Sequence, residues 1–136
     1  MSDGSLDTSF DGDGKVVTAL RPHTRGNAMA IQANGKIVVA GETYASDLGY
    51  GFALTRYTTR AAHWTRSFGG DGEVRTNIGF YDGATAVAIQ GDGKIVATGW
   101  GGQYTPESSD FALVRYHAIS GNAAPATNRG SAAPAK

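Results

Sequence analysis

Apolar residues in this chain fall in short runs separated by Asp-Gly and Asn-Gly dipeptides, the pattern of short strands joined by tight turns. Residues 15–20 and 73–78 form one matching pair of runs, each preceded by an Asp-Gly turn. Residues 28–32 and 86–90 follow, then 36–41 and 94–99, and finally 52–57 and 111–116. Asn34-Gly35 and Asp92-Gly93 lie between the second and third runs. Both residue types accept positive φ, so these dipeptides predict two-residue type I′ hairpins. Counting outward from the first turn pairs Ala33 with Lys36, Ile31 with Val38 and Met29 with Ala40. The middle strands do not alternate cleanly between apolar and polar. Ala28 and Ala30 line one face and Met29 and Ile31 the other, while Ile37 and Val39 oppose Val38 and Ala40. Apolar groups on both faces predict a small sheet covered on both sides.

The runs are copies of one another. Moving the chain along by the distance from Ser9 to Ser67 lays Gly12-Asp13-Gly14 on Gly70-Asp71-Gly72. The same step lays Ala28 to Gln32 on Ala86 to Gln90, and Asn34 to Val38 on Asp92 to Val96. One further residue is inserted before Phe52-Ala53-Leu54-Thr55-Arg56-Tyr57 meets Phe111-Ala112-Leu113-Val114-Arg115-Tyr116. The expected fold is therefore all-β: two four-stranded, propeller-like blades in tandem, or alternatively a self-contained two-sheet β-sandwich. The divisions are a first blade at 4–57, a linker at 58–66, a second blade at 67–117 and a tail at 118–136. The tail is rich in Ala, Pro, Asn and Gly without periodicity and is expected to be flexible.

Leu6-Asp7-Thr8-Ser9-Phe10, the segments 32–41 and 90–99, and the Phe-Ala-Leu-x-Arg-Tyr closings at 52–57 and 111–116 resemble the delta-60 repeat family of bacterial proteins. The resemblance covers roughly residues 4–117. It implies a β-propeller-like array, usually many copies long, in secreted or cell-surface proteins, with no defined activity. The chain departs from that pattern at Ala62-His63-Trp64-Thr65-Arg66, where the second copy of Gly-Ser-Leu-Asp-Thr is expected. Codons for the expected peptide, read one base late, encode Ala-His-Trp-Thr-Arg. The linker is thus either a short out-of-frame stretch or an ordinary divergent loop, and the nucleotide sequence distinguishes the two.

Composition narrows the function classes. Twelve Lys and Arg balance twelve Asp and Glu, scattered along the chain, so no basic stripe exists to neutralise phosphates and no nucleic-acid partner is expected. No apolar run approaches the roughly 18–20 residues of a membrane-spanning helix, and no membrane partner is expected. Residues 1–10 lack the basic start and apolar segment of a secretory signal. The chain has no cysteine, which removes disulfides and thiolate metal sites. There is no nucleophile elbow, and Gly35-Lys36 and Gly93-Lys94 are each followed by isoleucine and not by a phosphate-loop Ser or Thr. His23, His63 and His117 are far apart and do not recur in register. No enzyme activity and no cofactor are expected.

Two groups of residues carry candidate chemistry. Asp11, Asp13 and Asp71 stand in Asp-Gly clusters that could offer oxygens to calcium. Turn formation, with Asp and Gly tolerating positive φ, explains the same residues without a metal. The stretch between the third and fourth strands differs most between copies, and loops on a rigid scaffold commonly carry binding. It contributes Glu42, Tyr44, Asp47 and Tyr50 in the first copy, and Trp100, Gln103, Tyr104, Glu107 and Asp110 in the second. Aromatic faces beside carboxylates and amides suit sugars, although such rings also pack simply as blade edges. The expected function is a non-catalytic scaffold or binding module within a larger array or ring, partnered by neighbouring repeats or by itself. The alternatives are a two-blade carbohydrate-binding lectin that oligomerises and, last, a polysaccharide-active enzyme.

Overall fold

The computed structural model describes residues 3–20, 22–59, 65, 67–103 and 109–117. The tail from residue 118 and most of the linker lie outside the described residues. Seven strands form two antiparallel sheets, with no helix among the described residues. The first sheet has the order β1 (Arg25–Ile31), β2 (Ile37–Ala45), β3 (Gly49–Tyr57), β4 (Glu73–Thr76). The second has the order β5 (Tyr81–Ile89), β6 (Ile95–Gly102), β7 (Ser109–Tyr116). The all-β, bladed fold expected from the repeat is present, with four strands in one sheet and three in the other.

The sheets are out of phase with the repeat. Residues 73–78 were expected to open the second blade; instead β4 pairs with β3 and completes the first. Phe52 stands opposite Thr76 and Leu54 opposite Val74. Residues 15–20, the equivalent run in the first repeat, form no strand, because no strand lies beside them among the described residues. Their burial nevertheless alternates as a strand's does: Val16, Thr18 and Leu20 are half-buried while Lys15, Val17 and Ala19 are exposed.

The turn dipeptides make hairpins, but not of the expected type. Ile31 pairs with Ile37 and Ala28 with Ala40, one residue away from the type I′ register. Gly35 N donates to Gln32 O at 2.8 Å, and Gln32 N donates to Lys36 O at 2.8 Å, closing a three-residue loop. Only Gly35 takes positive φ, at 81°. The Asn34 side chain accepts from Lys36 N at 3.1 Å, the local bond that such residues favour in turns. A turn followed by one left-handed glycine is the next commonest hairpin solution. The second repeat makes the same loop, with Gly93 at φ 82° and Asp92 accepting from Lys94 N. A one-residue change of register exchanges the faces of every cross-strand pair.

The register of β2 with β3 sets the first sheet's side of the core. Val38, Ala40, Phe52 and Leu54 now share the face turned to the second sheet, and all are fully buried. They cluster with Phe68, Ala84, Ile95, Ala97 and Ala112, while Val74, Val87 and Ile89 pack against them. Asn27 and Thr85 occupy equivalent bulges, between Gly26/Ala28 and Ala84/Ala86. Each bulge presses a carbonyl onto a glycine of the next strand. A Cβ on Gly41 would lie 1.9 Å from Arg25 O, and one on Gly99 the same distance from Gly83 O. The Ala-Gly and Thr-Gly steps of β2 and β6 are thus required by the bulges.

Tyr116 marks the seam between the sheets. Its hydroxyl donates to Thr76 Oγ1 at 3.0 Å, as that of Tyr57 does to Thr18 Oγ1 at 2.8 Å. Burial pushes the Tyr116 pKa up to about 12. A phenol whose folded pKa is raised contributes stability that is complete below the unfolded value near 10 and is lost as pH rises through the folded value. An ultraviolet titration should therefore show one tyrosine ionising near pH 12, absent from Tyr116→Phe, with stability falling between pH 10 and 12.

Candidate functional site

The stretch expected to be a long loop in the first copy is mostly sheet. β2 and β3 run on to a short turn, so Glu42, Tyr44 and Tyr50 lie in strands, and of the first-copy candidates only Asp47 is in the turn, exposed. Tyr44 and Tyr50 are direct cross-strand partners, with ring centroids 5.2 Å apart. Tyr50 stacks on Tyr81 of the second sheet at 5.5 Å and 27°. His23 meets Tyr44 edge-on at 6.1 Å, and Phe80 lies 6.0 Å from Tyr81. The result is a row of rings, His23 exposed and the four others half-buried, that crosses from one sheet to the other.

Hydrogen bonds hold that row in place. Tyr50 N donates to Phe80 O at 2.9 Å and Phe80 N donates to Gly102 O at 2.7 Å. A Cβ on Gly49 would lie 2.1 Å from Phe80 O, so a glycine at φ 68° is needed for the hairpin to reach that carbonyl. Arg75 donates to Gly49 O and Asn77 to Leu48 O, each at 2.8 Å, clamping the turn from β4. Beneath the row the fully buried Asp82 carboxylate accepts from Ile78 N at 2.7 Å, Gly79 N at 2.9 Å and Gly102 N at 3.2 Å. Sequence comparison found Tyr44 and Tyr50 but missed Phe80, Tyr81, His23 and Asp82. The first repeat carries Pro22 and His23 opposite Phe80 and Tyr81, and Thr24 opposite Asp82, so self-comparison gave no signal.

The described second-copy candidates, Trp100, Gln103 and Asp110, do not join this row. Tyr104 and Glu107 lie outside the described residues. Trp100 pairs with Phe111 and Asp110 with Gly101, while Gln103 is exposed just past β6. Trp100, Asp110 and Phe111 line a groove of about 380 Å³ with Thr85 and Gly99. No ring contact links Trp100 to the tyrosines among the described residues. The structure therefore divides the expected ligand residues into two places: an aromatic row and a groove on the second sheet.

The calcium candidates are engaged in turns. Asp13 accepts from Lys15 N at 2.9 Å and Asp71 from Glu73 N at 3.1 Å, while Asp11 adopts φ 52°. No group of three or more His, Asp or Glu side chains is arranged to hold a metal ion among the described residues.

A second charged side chain, besides Asp82, is buried among the described residues. Arg56 lies with its guanidinium carbon 4.8 Å from the Phe68 ring centre, and its Nε donates to Thr65 Oγ1 at 3.2 Å. Burial pushes its pKa down. The Phe68 loop is closed by Gly72 N donating to Phe68 O at 2.6 Å, and the first repeat builds the same loop, with Gly14 N donating to Phe10 O at 2.7 Å.

Two small antiparallel sheets stacked face to face, each built from one repeat and the first completed by a strand of the next, are blades of the β-propeller type. A family model described as a β-propeller domain of unknown function (DUF5122) matches residues 32–59 and 90–122, one segment in each repeat. No curated protein matches the chain.

Proposed function

We propose that this chain is a non-catalytic β-repeat scaffold, a binding module that works as part of a larger propeller-like array or ring, in keeping with its resemblance to delta-60 repeats. The observation that carries this reading is the strand shared across the repeat boundary. Because β4 belongs to the second repeat in sequence and to the first sheet in structure, neighbouring repeats are joined mechanically, as an array requires. The clearest polar constellation, around Asp82, is spent on backbone N–H groups and holds loops in place.

The test is an assay of the purified chain on a panel of polysaccharides. No turnover is expected. Sustained hydrolysis that Asp110→Asn abolishes would overturn the non-catalytic reading.

The aromatic row favours a second reading, a glycan-binding module. Stacked tyrosine faces suit the C–H faces of a sugar, and backbone polar groups lie beside them. Glycan-array binding lost on Tyr44→Ala would establish it at the row, and loss on Trp100→Ala would place it in the groove instead.

A further inference from the structure

The apolar contacts that join the first sheet to the second have counterparts on the molecule's outer surfaces, and those counterparts are exposed. On the first sheet, Phe52 and Leu54 are fully buried against the second sheet. Their equivalents on the second sheet, Phe111 and Leu113, are 104% and 71% exposed. On the receiving side, Val87 and Ile89 pack into the core. Their equivalents in the first repeat, Met29 and Ile31, are 54% and 61% exposed. The molecule thus carries both halves of its own internal interface, one at each end. Apolar side chains left open in matched sets of this kind mark an interaction surface.

The edges match in the same way. β3 is covered by β4, whereas no strand covers the outer edge of β7 among the described residues. Residues 15–18 are the repeat equivalent of β4 and lie unpaired. They already stand where β4 stands: Thr18 receives the Tyr57 hydroxyl just as Thr76 receives that of Tyr116. Tyr57 is on the face of the first sheet turned away from the second, so residues 15–18 are held far from the β7 edge of their own chain.

We infer that the open edge of β7 accepts residues 15–18 of a second copy of this chain, in the register that β3 makes with β4. Phe111 then faces Thr18, Ala112 faces Val17, Leu113 faces Val16 and Val114 faces Lys15. The inference rests on the scaffold reading and specifies its partner. In the same contact, Arg115 of one copy lies over Phe10 of the next, as Arg56 lies over Phe68 within the chain. Phe111 and the groove beside Trp100 are covered by Met29 and Ile31 of that next copy. The occupant of the groove is protein. Such an interface is head to tail, and each copy donates one strand and accepts one until rotation closes the ring.

The natural absence of cysteine makes the register directly testable. Val16→Cys and Leu113→Cys chains, co-expressed and mildly oxidised, should give a reducible mixed dimer in preference to either homodimer. Light scattering of the unmodified chain at micromolar concentration should report a multiple of 14.1 kDa. Leu113→Asp, which places a charge on a residue exposed in the single chain, should return it to 14.1 kDa with its circular dichroism unchanged. A folded, unmodified chain that remains a monomer, or cysteine variants that form no mixed disulfide, would overturn the inference. So would a preference for either homodimer, which would mean a symmetric contact. Polysaccharide turnover would instead strike the scaffold reading and leave the strand exchange to be judged by these measurements.

Discussion

Phe52→Ala is expected to destabilise the folded chain by about 3–5 kcal/mol, and Phe111→Ala by no more than about 0.5 kcal/mol. The two phenylalanines occupy the same place in the same six-residue motif, so intrinsic strand propensity is closely matched. What differs is cover. Phe52 is sealed between the sheets with Leu54 and Ala84, where its loss leaves a cavity that neighbouring strands cannot close without breaking their ladders. Phe111 projects from the outer face. Urea unfolding of both variants in the Leu113→Asp background, which removes association from the measurement, checks the contrast. Equal losses would mean that the two sheets do not pack as described.

Asp82→Ala should cost about 2–4 kcal/mol, because three part-buried N–H donors lose the buried carboxylate they share. Ile78 N, Gly79 N and Gly102 N all donate to this carboxylate, and an alanine methyl group accepts from none of them. The damage should also spread to the aromatic row, since the 78–80 turn carries the Phe80 carbonyl that receives Tyr50 N. Amide exchange at Gly79 and Tyr50 should rise together. Asp82→Asn should fall between the variants, keeping one acceptor oxygen but pointing an NH2 group at donors. If Asp82→Ala unfolds at the unmodified midpoint with Tyr50 still protected, the carboxylate is not the fastening it resembles.

The strands and their copies were legible because their causes are local. Short β-branched and aromatic runs, Asx-Gly turns and a repeated motif all lie within a few residues of what they determine. The hairpin register was not legible. Asn34-Gly35 is compatible with loops of two or three residues, so the dipeptide alone does not choose between them. The partner of β4 was hidden for a different reason: which strand it joins depends on the stacking of whole sheets. Within the candidate site, Tyr44 and Tyr50 stood out because they differ between repeats. Tyr81, Phe80 and Asp82 were lost because divergence was followed only between the third and fourth strands, whereas these residues precede the run at 86–90.

The offset between repeat and sheet has a consequence for how such chains can grow. Duplicating the coding unit lengthens the array but adds one strand donor and one acceptor together, so the mismatch at the ends is the same after every duplication. No copy number removes it by addition alone. Only curvature that brings the last edge back to the first strand, in one chain or among several, can do so. Gene length and assembly number are therefore interchangeable currencies for the same geometric debt, and a lineage can trade one for the other without altering a single residue inside the blades.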